Sequence, residues 1–252
     1  MSNTNPPPLP PSANEPRLLG DDPAECEPIT GVVTAVEAML RQPHRVMFQL
    51  RQPGAGRLIA ILLFLSVACS LIYGVVVGSF SGGTQWWAAP VKISAGLLIS
   101  GLICLPSLYI FACLSGSQAR LSEIFGLVAG LLMLTTVLLI GFAPVAWLFS
   151  QSTDSVSWMG ALHLLFWFIA TIFGLRFLST AFAQSNAKSN SGLNTWILIF
   201  MLVALQMTTA LRPILGTAET FLPRPNEKKF FVAHWLGNLN PTNTIQRAND
   251  MK

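Results

Sequence analysis

Five long apolar segments constrain this chain more than any other feature of its sequence. Each reaches about 20 residues, the length that a helix rising 1.5 Å per residue needs to cross the hydrocarbon core of a bilayer. Only 10% of the residues are charged, whereas soluble domains carry about 25%. The sequence therefore predicts an all-α polytopic membrane protein, a bundle of five transmembrane helices over residues 58–80, 91–114, 124–149, 158–182 and 193–211.

Four regions follow from this pattern. Residues 1–29 are rich in proline and acids and lack the apolar core of a signal peptide, so we expect a disordered cytoplasmic tail. Residues 30–56 form an amphipathic interfacial segment, and residues 57–212 form the five-helix transmembrane domain. Residues 213–252 form a C-terminal tail.

Both flanks of the bundle contain amphipathic stretches. In the first, Pro43 should end or kink a helix whose apolar face would lie at the headgroup level. The second is a short helix in the C-terminal tail, which could lie at the interface or dock into a partner's groove. The apolar positions are Val32, Val33, Val36, Met39 and Leu40 in the first stretch, and Phe230, Phe231, Trp235, Leu236 and Leu239 in the second.

Basic residues set the expected orientation, because lysine and arginine accumulate on the cytoplasmic side. With the N-terminus inside, seven basic residues flank the inner ends of the spans and five flank the outer ends. The sequence therefore predicts a cytoplasmic N-terminus and an external C-terminus. The inner set is Arg41, Arg45, Arg51, Arg57, Arg120, Arg176 and Lys188; the outer set is Lys92, Arg212, Arg224, Lys228 and Lys229.

Titratable groups inside the predicted spans are scarce, which argues against an enzyme. Only His163 and Arg176 are ionisable residues within a span, and they lie 13 residues apart, about 20 Å along a helix. The sequence has no zinc-protease, hydrolase or phosphate-loop motif and no acidic metal cluster. Its four cysteines form no pair or Cys/His motif. We therefore expect no catalytic residues, no cofactor and no metal.

Small residues recur at every fourth position in several spans. Such faces let helices approach closely in lipid, where packing is the main attraction between helices. The pattern predicts packing within the bundle, and a homodimer seam is the alternative. The candidate helix-packing residues are Ser66, Ser70, Gly74, Gly78, Gly96, Ser100, Gly126 and Gly130.

The last span becomes polar where it ends. Gln206, Thr209 and Arg212 fall within seven residues, and Pro213 should stop the helix. Hydroxyls near a helix end can bond to their own backbone, so these residues are typical of a helix exit. A pore or cleft remains open as an alternative, in which they would join His163 and Arg176 as polar pathway or anchor residues.

The run "VEAMLRQPHRVMFQLRQPGAGRLIAILL", followed by five spans, resembles the Yip1 family of small polytopic membrane proteins. The resemblance implies a cytoplasmic N-terminal region, a proline-and-aromatic segment (here Pro43 and Phe48) and a five-helix domain. The acidic-tyrosine-glycine-proline signature of eukaryotic members is not found. The tail "LRPILG…KKFFVAHW" is similar to the ending of a group of uncharacterised bacterial membrane proteins, which implies kinship and no particular activity.

The leading hypothesis is a non-enzymatic scaffold or accessory subunit of the bacterial inner membrane. It would contact the lipid bilayer and bind a membrane protein partner or a second copy of itself. The net charge of +4 is too scattered for nucleic acid. The alternative is a small-solute transporter or channel, and a membrane enzyme ranks third. A transport path would be lined by Thr135, Thr136, His163, Gln206 and Thr209.

Overall fold

The computed structural model describes residues 19–20, 22–81, 83, 85–117, 119–152, 156–184 and 191–210. Within this part of the chain the protein is helical with no strands, which confirms the all-α class. The helices are α1 (Pro23–Cys26), α2 (Val32–Arg41), α3 (Pro43–Arg51), α4 (Gly56–Ser81), α5 (Gln85–Leu114), α6 (Leu121–Ser150), α7 (Val156–Ala183) and α8 (Ser191–Ala210).

Four of these helices, α4 to α7, are long and apolar enough to cross a membrane. The fifth predicted span falls in α8, whose apolar stretch within the described residues, Gly192–Thr208, is shorter. Length and composition therefore support a helical membrane protein and four of its five predicted spans.

Helix α6 lies at the centre of the bundle. Two thirds of its apolar window (67%) is buried inside the protein, against 28% to 44% for the other three long helices. It packs against α4, α5 and α7, while α4 also packs against α5, and α8 packs on α5. The central helix therefore meets other helices in most directions.

Small residues lie at the closest approaches between the helices. A Cβ added at Gly74 would lie 2.3 Å from the Pro90 Cα, so the backbones of α4 and α5 nearly touch. A Cβ at Gly126 would meet Leu50 at 2.6 Å, and one at Gly130 would meet Phe177 at 2.8 Å. These predicted packing glycines therefore contact residues of the same chain, as do Gly101 and Gly174, which face Leu132 and Thr135.

The other predicted packing residues are buried as well. Ser66 is 1% exposed and Gly78 is also buried. Ser70, Gly96 and Ser100 line a cavity that is described below. In lipid, small side chains of this kind permit close helix contact.

Helices α2 and α3 pack against one end of the bundle. Arg51 Nε donates to Glu123 Oε1 at 3.0 Å, and the same guanidinium reaches the carbonyl of Ala181 on α7. His44 Nδ1 and Gln184 Nε2 lie 2.9 Å apart. These contacts join α3 to the start of α6 and the end of α7.

The burial pattern differs in part from the interfacial helix that the sequence predicts. Met39 is buried in the main core, whereas Val33 is 78% exposed and Leu40 is 50% exposed. Pro43 begins α3 directly after α2 ends at Arg41, as its fixed φ favours. The bundle itself therefore covers one side of this segment, with Val46, Met47 and Leu50 buried on α3.

The described part of the predicted disordered tail is folded onto α3. It contains α1 and the buried residue Ile29, whose N–H donates to Gln49 Oε1 at 2.9 Å. Arg45 Nε donates to the Glu27 carbonyl at 2.9 Å. Residues 1–18 and 211–252, which include Arg212 and the predicted tail helix, lie outside the described residues.

Candidate functional site

A cavity of about 220 Å³ lies among the five apolar helices α4 to α8. Its walls are largely apolar, with Val77, Leu97, Leu139, Leu164, Trp167 and Met207 among them. Seven polar residues converge on the same space: Ser70, Tyr73, Lys92, Ser100, Thr136, His163 and Thr208. An apolar pocket with a few convergent polar groups is the usual form of a small-molecule site.

The cavity is present because α7 and α8 pack on different neighbouring helices. Helix α7 packs on α6 and α8 packs on α5, and within the described residues α7 and α8 share no extensive contact. Gly160 and His163 of α7 line one side of the cavity, and Ala204 and Met207 of α8 line another. The space therefore lies between α7 and α8, with α4, α5 and α6 behind it.

Tyr73 and His163 form a buried pair at this cavity. The Tyr73 hydroxyl lies 2.7 Å from His163 Nδ1, and the two rings meet edge to face with centroids 5.6 Å apart. The second ring nitrogen, His163 Nε2, is buried without a hydrogen-bond partner in the described part of the chain. A buried polar atom normally has a partner, so His163 Nε2 is an exception among the described residues.

Lys92 is the cation of the site. It lies in the second turn of α5 and is only 1% exposed, although lysine is among the residues least often buried. Its side chain lines the cavity and also interacts with the protein itself. A charged group held at this depth among apolar helices is costly and is usually functional.

The cavity hydroxyls differ from Lys92, because their protons are already used. Ser100 Oγ donates to the Gly96 carbonyl at 2.7 Å, and Thr136 Oγ1 donates to the Met133 carbonyl at 3.0 Å. Ser70 makes the same kind of bond within α4. Hydroxyls in membrane helices commonly bond back to their own helix. Lys92 and the Tyr73–His163 pair are therefore the polar groups of the lining that differ from these hydroxyls.

The structure brings together only some of the predicted polar residues. Thr136 and His163 line the cavity, whereas Thr135 bonds to the Leu131 carbonyl and faces Gly174. Gln206 is half-buried, has an interaction of its own and is not part of the lining.

The remaining predicted polar residues lie away from this group. Arg176 is exposed on α7, with its Cζ 5.8 Å from the centre of the Phe173 ring, and is not part of the lining. The side chain of Thr209 and the whole of Arg212 lie outside the described residues.

Sequence reasoning missed Lys92 and Tyr73 as site residues. A lysine next to an apolar run was read as a helix edge, but α5 begins at Gln85, seven residues earlier. Two tryptophans and two alanines before Pro90 could have indicated this longer helix. Tyr73 gave no comparable indication, because its partner lies 90 residues away in the chain.

Among the described residues, no group of three or more His, Cys, Asp or Glu side chains is placed to hold a metal ion. The fold and the cavity together define a class, a helical membrane protein with a largely apolar cavity among its apolar helices. Comparison with protein-family models, curated proteins and solved structures gave no match. The Yip1-like layout therefore stays a prediction.

Proposed function

We propose that this chain is a non-enzymatic five-span membrane protein that binds a small solute in the α4–α8 cavity and carries it across the bilayer. The observation behind the proposal is the cavity itself, whose largely apolar lining includes a buried lysine and the Tyr73–His163 pair. Convergent polar groups among spanning helices are typical of substrate pathways. Helix α8 acts as the fifth span and contributes one wall.

Exposed tryptophans indicate how deep in the membrane the site would lie. Trp86, Trp147 and Trp158 are all more than half exposed and belong to the same end of the bundle, where tryptophan favours the headgroup layer. Lys92 and His163 follow Trp86 and Trp158 by five or six residues, which corresponds to about 8–9 Å of depth along a helix. Both groups would therefore lie at a similar level below the headgroups.

The basic residues favour the opposite end as the cytoplasmic one. Arg41, Arg45, Arg51, Arg57 and Arg120 all belong to the end that carries α2 and α3, and cytoplasmic flanks are rich in such residues. We propose a cytoplasmic N-terminus, an external C-terminus and the bacterial inner membrane as the location. The cavity would then lie in the outer half of the bilayer.

Uptake into proteoliposomes tests the transport proposal. The panel consists of radiolabelled benzoate, benzamide, an alkylamine and glucose, each compared with protein-free liposomes. In Ala204→Phe a ring replaces a cavity-lining methyl group, whereas Leu202→Phe adds a ring to the same helix at a residue that is 49% exposed. Transport through the cavity predicts uptake of at least one solute, lost in A204F and kept in L202F. Equal uptake with and without protein for every solute would contradict it.

A scaffold role is the second candidate, and one surface favours it. Val32, Val33 and Leu40 of α2 are 41%, 78% and 50% exposed, which leaves an apolar strip outside the long helices for a partner or the bilayer surface. The small residues give the scaffold role less support, because Gly74, Gly126 and the other close-packed glycines contact their own chain and not a second copy. Crosslinking in native membranes tests this role: V33E should abolish a stoichiometric partner if one docks on α2.

A further inference from the structure

The cavity presents a largely apolar surface, because most polar side chains of its lining already have partners in the protein. Lys92 is 1% exposed and has an interaction within the protein, and Tyr73 and His163 contact each other. A buried water typically needs about three polar partners, so the cavity suits hydrocarbon better than water. The lining serines and threonines each donate to a carbonyl of their own helix: Ser70, Ser100, Thr136 and Thr208.

The cavity is open on the side where α7 and α8 do not meet. Its back wall is buried, with Val77 1% exposed and Leu139 3% exposed. The lining residues at its two sides are partly exposed, namely Leu164 and Trp167 on α7 and Met207 on α8. Within the described residues these two helices share no extensive contact, so the gap between them leads into the cavity.

The gap continues the apolar outer surface of the bundle. Leu165 of α7 is 54% exposed, and Leu198 and Leu202 of α8 are 71% and 49% exposed. Trp158, which would lie at the headgroup level, precedes the lining residue Trp167 by nine residues, about 13–14 Å along a helix. One half of the hydrocarbon core of a bilayer is about 15 Å thick. The gap would therefore face acyl chains rather than water.

The volume of the cavity suits a stretch of a single hydrocarbon chain. An apolar cavity of about 150 Å³ admits the six carbons of benzene, so a cavity of about 220 Å³ has room for roughly eight or nine carbons. An empty space of this size forfeits dispersion contacts along all of its walls. Acyl chains are the apolar groups that surround a membrane-spanning bundle, and they can fill it.

We propose that one acyl chain of a bilayer phospholipid enters the cavity through the gap between α7 and α8 and occupies it when no solute is bound. The headgroup stays at the level of Trp86 and Trp158, since the apolar walls offer it no partners. This inference goes beyond the proposed function, because transport of a solute does not require a bound lipid. A solute that enters the cavity must displace the chain.

The test uses a phosphatidylcholine with a photoreactive diazirine near the middle of one acyl chain. The full chain is reconstituted into liposomes that contain this lipid and irradiated, and the labelled residues are located by mass spectrometry of its peptides. Val77 and Leu139 are buried walls of the cavity, which lipid on the outer surface does not reach, whereas Phe64 and Leu198 are exposed on the outside.

The proposal predicts label on Val77 or Leu139 as well as on the exposed Leu198. Ala204→Phe puts a ring in place of a cavity-lining methyl group, and it should remove the label from the cavity walls while leaving the label on Leu198. Leu202→Phe adds a ring at an exposed position of the same helix and should leave both labels. The wild-type map remains decisive if A204F does not fold.

Two results would overturn the inference. Label confined to exposed residues such as Leu198 in the wild type would mean that the chain stays outside the cavity. Label on the cavity walls that persisted in A204F would mean that the chain does not occupy this space. Solute uptake, measured on the same preparations, separates the two proposals: uptake without label in the cavity refutes the bound chain alone, and label in the cavity without uptake supports the chain and contradicts transport.

Discussion

Replacing Gly74 by alanine should separate α4 from α5, because the added Cβ would lie 2.3 Å from the Pro90 Cα. Ordinary carbon–carbon contacts are about 3.5–4.0 Å, so the two backbones must move apart by about 1.2 Å or more. Overpacking of this kind costs about 1–3 kcal/mol, and the upper part of that range applies because backbone cannot rotate away. Alanine recovers up to about 1 kcal/mol of helix propensity. The expected net loss in the free energy of unfolding is about 1–2 kcal/mol.

Gly141→Ala is the matched control within the same bundle. Gly141 lies in α6, is exposed, and has no atom within 4 Å of an added Cβ. It should gain stability or stay unchanged. Both variants are unfolded with sodium dodecyl sulfate in mixed micelles and followed by circular dichroism. If Gly74→Ala proved as stable as Gly141→Ala, α4 and α5 would not approach each other this closely.

Four further substitutions test three other sites by the same unfolding assay. Trp196→Phe removes the 2.8 Å bond to the Cys104 carbonyl and should cost about 0.5–1.5 kcal/mol; no loss would mean that water or another donor replaces it. Arg51→Met and Glu123→Gln should each cost about 1–2 kcal/mol, since the pair is only partly exposed, and the double variant should lose less than the sum; full additivity would contradict a direct pair. Thr171→Val removes a buried hydroxyl without a partner in the described residues and should leave the free energy of unfolding unchanged or raise it by up to about 1 kcal/mol. A lower free energy of unfolding would mean that the hydroxyl does have a partner.

The spans could be predicted from the sequence because lipid leaves few alternatives. An apolar run long enough to cross a bilayer must form a helix, since its backbone groups have no water to bond with. The predicted ranges 58–80 and 124–149 agree with α4 and α6 within about three residues at each end. The deviations lie at the ends, where polar residues continue a helix that hydropathy alone would stop.

The sequence predicted neither the packing of α3 against the bundle nor the cavity. Both depend on contacts between residues that are far apart in the chain, and hydrophobic periodicity does not encode such contacts. An amphipathic pattern indicates that one face meets something apolar, and a bilayer surface and a helix bundle satisfy it equally. His163 could be predicted as a candidate because an ionisable residue within a span is rare. Lys92 was missed, since its burial depends on where α5 begins and on which helices surround it.

The helices on the two sides of the cavity pack against different partners. Along α7, Phe166 stacks on Phe142 of α6 at 4.8 Å, so α7 follows α6. Along α8, the Trp196 indole donates to the Cys104 carbonyl of α5, so α8 follows α5. Neither anchor requires α7 to meet α8, and the gap is therefore built by well-packed contacts rather than by loose ones.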